Sequence, residues 1–142
     1  MNAPGVLLDT GPLVALLSKN DANHDRATRL FAACTPPLRS CEAVVAEACF
    51  LMGKVHADGP AEVVGLGKRD VFAIRLAVHD HWPEIEALLK KYKDRPISFA
   101  DACLIRCAEV SRESRILTFD SDFTVYKWGR NKRFDLLQSV LS

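Results

Sequence analysis

The chain has 142 residues, of which 49% are hydrophobic, and a formal net charge of +1. That is enough apolar material for a packed core, which excludes a disordered chain, and a single domain over residues 1–142 is expected. The balanced charge excludes a polycation, so any grip on nucleic acid must come from a local patch.

Gly5 to Asp9 reads as a short buried strand ending on an acid. Thr10-Gly11-Pro12 forces a turn into a short helix, Leu13 to Ser18, with Pro12 suited to its first turn. Asp21 is a cap for a second helix running to about Cys34, whose Ala27, Leu30, Phe31 and Cys34 recur at helical spacing. Thr35-Pro36-Pro37 breaks the chain. Leu38-Arg39 is a minimal strand, and Ser40 caps a long apolar helix from Cys41 to about Lys54. Pro60 sits near the next helix start, with Gly65 and Gly67 loosening its end. Val71 to Ile74 is a buried strand. Trp82-Pro83-Glu84 opens a helix with Ile85, Leu88, Leu89 and Tyr92 on one face. Ser98 starts another, followed by a strand at Arg115 to Thr118, a loop at Asp120 to Phe123, and an edge strand at Phe134 to Leu137. Strands alternating with helices predict a parallel sheet with helices on both faces.

Cys34, Cys41, Cys49, Cys103 and Cys107 are odd in number and form no C-x-x-C pair. Packed, reduced thiols are expected in place of a disulfide framework or zinc site. The apolar run from Val6 to Leu17 is interrupted by Asp9 and Thr10 and has no preceding Lys or Arg. It is too short for a membrane span and built wrongly for a signal peptide, so a cytoplasmic protein without membrane contact is expected.

Four acids stand out. In a parallel α/β sheet ligands gather beyond the carboxyl ends of the strands. Asp9 ends the first strand, and Asp120 lies two residues past Thr118. Ordinary roles exist for both, an N-cap for Asp9 and an Asx-turn for Asp120. Glu47 is the lone charge between Ala43 and Met52. A helix this apolar reads as largely buried, where a carboxylate is costly unless paired, for instance with Arg106, or coordinated. Ser98-Phe-Ala-Asp101 fits a capping box, yet Asp101 could also face the cleft. Carboxylates gathered at one edge repel, and a cation relieves that repulsion. A set with no His or Cys points to Mg²⁺ or Mn²⁺ over Zn²⁺.

Asp9-Thr-Gly-Pro-Leu-Val-Ala-Leu-Leu17, Cys41-Glu-Ala-Val-Val-Ala-Glu47, Ser98-Phe-Ala-Asp101-Ala-Cys-Leu-Ile105 and Leu117-Thr-Phe-Asp120-Ser-Asp122-Phe123 occur in that order. Together they resemble the PIN-domain nucleases, especially the VapC-type toxins. The resemblance implies a three-layer α/β/α sandwich around a central, mostly parallel sheet of four to five strands. It implies hydrolysis of RNA phosphodiesters with Mg²⁺ or Mn²⁺. Asp9, Glu47, Asp101 and Asp120 carry over as catalytic acids, with Asp9, Asp101, Asp120 and accessory Asp122 as metal ligands. Thr10, Ser98 and Thr118 carry over as supporting hydroxyls. A homodimer and an antitoxin partner are also implied.

Substrate needs positive charge. Lys90-Lys-Tyr-Lys-Asp-Arg95 reads as a solvated helix end. Lys127, Trp128, Arg130, Lys132 and Arg133 follow the Asp120 loop and combine phosphate contacts with a stacking aromatic, so RNA contact is expected there. A phospho-aspartate domain of the haloacid-dehalogenase kind is disfavoured because position 11 is Gly, where a second acid is needed. A stand-alone or non-catalytic PIN module, without an antitoxin, is the alternative reading.

Overall fold

The computed structural model describes residues 5–137; the expected domain, 1–142, extends outside them at both ends. The chain alternates short strands with pairs of helices. Strand β1 (Leu7–Leu8) leads to α1 (Thr10–Leu17) and α2 (His24–Ala32), and β2 (Leu38–Ser40) leads to α3 (Glu42–Val55) and α4 (Gly59–Lys68). Strand β3 (Phe72–Ile74) is followed by a 3₁₀ turn (Val78–His81), α5 (Trp82–Lys91) and α6 (Phe99–Ser111). Then come β4 (Arg115–Leu117), a second 3₁₀ turn (Ser121–Thr124), a hairpin of β5 (Lys127–Trp128) and β6 (Lys132–Arg133), and β7 (Asp135–Leu137).

The main sheet has five strands in the order β3-β2-β1-β4-β7, and every neighbouring pair is parallel. This is the α/β architecture expected. The chain moves outward from β1 through β2 to β3, then returns to place β4 on the other side of β1. Such a reversal opens a crevice at the carboxyl ends of the two strands beside it. Leu7, Leu8, Ile116 and Leu117 are fully buried at that centre. Truncating one of them to Ala costs roughly 2–5 kcal/mol.

Helix α6 buries nearly all of its first half, Ala100 to Ile105, including Asp101. Helix α3 is different. Only Val44, Ala48 and Met52 are buried, while Phe50, Leu51 and Val55 are exposed. The expectation of a buried α3 is therefore corrected: its apolar outer face is not covered by the described residues.

Several local expectations also change. Helix α1 begins at Thr10, earlier than Leu13, because Asp9 caps it. Asp21 accepts from the Asn23 amide in a turn, and Asn23 holds the N-cap position of α2. Ser40 does not cap α3. It ends β2 and donates its hydroxyl to the Leu8 carbonyl, while Cys41 precedes the helix. Gly65 and Gly67 lie inside α4, whose packing overrides their weak propensity. The stretch Lys127 to Arg133 is a hairpin with Gly129 and Asn131 in left-handed conformations. All five cysteines are unpaired, with Cys41, Cys103 and Cys107 buried. Among the described residues no helix is long and apolar enough to cross a membrane.

Candidate metal centre

Asp9 follows β1 and Asp120 follows β4, so adjacent parallel strands deliver both acids to one crevice. Asp101 enters from the first turn of α6. One carboxylate oxygen from each of the three lies within 4.8 Å of the others. They line a cavity of about 450 Å³ together with Thr10, Glu47 and Ser98.

Each acid is held from behind. The Asp9 carboxylate accepts from the Thr10 amide at 2.8 Å and from the Thr118 hydroxyl at 2.7 Å. Thr118 also accepts from the Asp120 amide at 3.0 Å. Asp120 Oδ1 accepts from the Asp122 amide at 2.9 Å. Asp101 sits in a complete capping box: its amide donates to Ser98 Oγ, and its Oδ2 accepts from the Ser98 amide. The buried Tyr126 hydroxyl reaches the same Oδ2 at 3.4 Å. Capping and facing the cleft are thus both true of Asp101. Its Oδ1 and Asp120 Oδ2 accept no hydrogen bond from the described residues.

The electrostatics are adverse without a counter-ion. Asp9 is 7% exposed and Asp101 8%. Burial pushes the Asp9 carboxyl up to about 6, Thr118 and Thr10 pull it back, and the charges of Asp101 and Asp120 add to the rise. Burial also raises Asp101, with Asp120 and Glu47 adding to it and Ser98 opposing it. Tyr126 is raised by burial and by the acids around it, which keeps its hydroxyl protonated as a donor. Clustered carboxylates, two of them buried, with oxygens that lack donors among the described residues are the arrangement a hard divalent cation satisfies.

Glu47 reaches the pocket, though not by the route its sequence context suggests. It is exposed, outside the three-acid group, and its Oε1 accepts from the Thr10 hydroxyl at 2.9 Å. The suggested pairing with Arg106 is absent; Arg106 bonds to His81 and Glu109. Asp122, expected as an accessory metal ligand, makes an ion pair. Its Oδ1 is bound by Arg95 Nη1 at 3.1 Å, and it lies outside the group. Arg95 was read as part of a solvated helix end, yet it stands next to Pro96 on the pocket wall. Arg26 also approaches the rim, 4.6 Å above the Phe119 ring. His24 Nδ1 meets the Ala15 carbonyl at 2.8 Å.

The basic run is not brought to the acids. Gly129 bonds to Glu109, and Arg130 and Lys132 line a separate cavity of about 400 Å³ with Arg112 and Trp128. Glu109 is eight residues beyond Asp101 on α6, about 12 Å along its axis. Trp128 is corrected as a stacking residue. It is 5% exposed, its indole N–H donates to Ser114, and Lys132 covers its ring at 4.8 Å. Lys127 and Arg133 face each other across the hairpin.

A family model described as the PIN domain matches residues 6–129. The crystal structure of Mycobacterium tuberculosis VapC20, a sarcin-ricin loop cleaving toxin, matches with a TM-score of 0.77 and 22% identity. That match covers 85% of this chain and 94% of the other. No curated protein matches by sequence.

Proposed function

Because the chain belongs to the PIN-domain family, we propose that it is a metal-dependent endoribonuclease, acting as a VapC-like toxin. The observation that carries this reading is the convergence of Asp9, Asp101 and Asp120 within 4.8 Å at the carboxyl edge of the sheet. The fold shared with a toxin that cleaves the sarcin-ricin loop supports RNA as substrate.

Asp9, Asp101 and Asp120 would hold Mg²⁺ or Mn²⁺, the ions that all-carboxylate sets favour. When bound, the ion supplies Lewis-acid polarisation of the phosphate and a more acidic water. The protein's own part is positioning. Thr118 ties Asp9 to the Asp120 backbone, and Ser98 with Tyr126 fixes Asp101. Glu47, steadied by Thr10, orients the attacking water and takes its proton on Oε2, the oxygen Thr10 leaves free. Arg95 at the rim offers a guanidinium to a flanking phosphate when it releases Asp122.

The exposed side chains of Phe50, Leu51, Val55 and Val64 support a covered face on α3 and α4. We assign it to the homodimer, with an antitoxin as a further partner that would reach the pocket beside Leu51. Light scattering of the purified protein tests the dimer.

The nuclease reading is tested by cleavage of RNA by purified wild type, Asp9→Asn and Asp101→Asn with Mg²⁺ or Mn²⁺ supplied and withdrawn. Cleavage that needs the ion and both acids is expected. Undiminished cleavage by a folded Asp101→Asn variant would sink the proposal.

A further inference from the structure

We propose that Trp82 and Phe99 form a base-stacking subsite next to the acidic pocket, taking an unpaired nucleobase of the same RNA strand. This rests on the ribonuclease reading above and deepens it by naming a contact for the substrate's bases.

Trp82 opens α5 and Phe99 opens α6. Their rings stack at 6.4 Å with 28° between planes, and His79 meets Trp82 edge-on at 6.5 Å. Both rings face water: Trp82 is 51% exposed and Phe99 44%. Each holds the other in place, so a ligand stacking there would lose little side-chain freedom. An aromatic face accepts any base, and unpaired bases in RNA are recognised by such stacking.

The platform shares the first turn of α6 with Asp101. Phe99 directly follows Ser98, which lines the acidic cavity and whose hydroxyl oxygen accepts from the Asp101 amide three residues further on. A strand with its phosphate at the acids therefore passes the start of α6, where a neighbouring base can turn onto the rings. Trp128 offers no such face, being buried and hydrogen-bonded. A second protein copy fits the platform less well. A stable interface needs about 800 Å² from each partner, whereas this patch is two rings, with Asp80 and Glu84 two residues to either side of Trp82 in the chain.

The two tryptophans make the test direct. An unstructured RNA oligonucleotide is titrated into the full chain with divalent ions chelated, while tryptophan emission and anisotropy of a labelled RNA are followed. RNA should quench the wild-type emission. Trp82→Phe, which leaves Trp128 as the sole emitter, should abolish the quench while keeping most of the affinity. Trp82→Ala should bind about tenfold more weakly, and Phe99→Leu should lose part of the affinity. An abasic oligomer of equal length should not quench. Quenching that survives in Trp82→Phe, or equal binding by Trp82→Ala, would overturn the subsite. So would a fall in molar mass on Trp82→Ala, which would mark the rings as a subunit interface. Loss of quenching beside Asp101-dependent cleavage would remove the platform and leave the nuclease; the reverse pattern would remove the nuclease and leave the platform.

Discussion

The Thr118 hydroxyl donates to Asp9 Oδ2 at 2.7 Å while its oxygen accepts from the Asp120 amide at 3.0 Å. One fully buried side chain thus couples the acids that end two neighbouring strands. Thr118→Val keeps the shape and removes both bonds. We expect a loss of roughly 10–100-fold in kcat, the usual effect of removing support behind a metal ligand, with KM little changed. The fold should survive a cost of about 1–3 kcal/mol. Steady-state cleavage kinetics and thermal melting check both parts.

Asp9 gives a stability signature of its own. Its carboxyl is held at about 6 in the fold against 3.8 as the reference. A raised acid contributes stability that is fully present below the lower value and lost as pH rises through the higher one. The shift corresponds to roughly 3 kcal/mol. With divalent ions chelated, the wild type should therefore become less stable between about pH 4 and pH 6. Asp9→Asn should flatten that loss and melt several degrees higher than wild type at neutral pH. Added Mg²⁺ or Mn²⁺ should stabilise the wild type and leave the variant unmoved. Melting curves across pH decide it.

Asp101 and Asp122 should separate cleanly. Asp101 belongs to the three-acid group, whereas Asp122 is committed to Arg95. We expect Asp101→Asn to lose at least about a hundredfold in cleavage, because several kcal/mol of transition-state stabilisation is at stake. Asp122→Asn should lose less than about tenfold. The exposed Arg95–Asp122 pair contributes about 0–1 kcal/mol, so Arg95→Ala should barely shift the melting temperature. It should still weaken RNA binding, as measured by filter retention.

The basic hairpin predicts a dependence on substrate length. Arg130 and Lys132 lie around the far end of α6 from Asp101. Replacing both with Ala should leave cleavage of a short oligonucleotide unchanged. For a longer RNA that spans the helix, affinity should fall. The slope of log affinity against log salt should shrink by about 0.7 per lost phosphate contact. An equal effect on short and long substrates would argue against this placement.

The strand-end acids were legible because Asp9 and Asp120 follow apolar runs, and a parallel sheet delivers both to one edge. Asp101 was legible as a cap, and the capping box is there. What holds the acids was not, since Thr10 to Glu47 and Thr118 to Asp9 span 37 and 109 residues. Glu47 was placed correctly at the pocket for a mistaken reason. An apolar helix does not reveal which of its faces the rest of the chain covers, and α3 leaves Phe50, Leu51 and Val55 in water. Trp128 was read as an aromatic that stacks on bases, and it is buried in a hairpin. Gly129-Arg130-Asn131 was the available signal, since Gly and Asn are the residues that turn a tight hairpin with positive φ. Arg95 carried no signal, because its partner Asp122 is 27 residues away.

The sheet order has a consequence for synthesis. Strand β1, made first, lies between β2 and β4, and β4 begins only at Arg115. A growing chain that has not yet released β4 lacks both Thr118 and Asp120. It holds Asp9 beside an empty sheet edge and has nothing with which to complete the cleft. The three acids thus come together only once Asp120 has been made, so the proposed metal site does not exist in the nascent chain before that point.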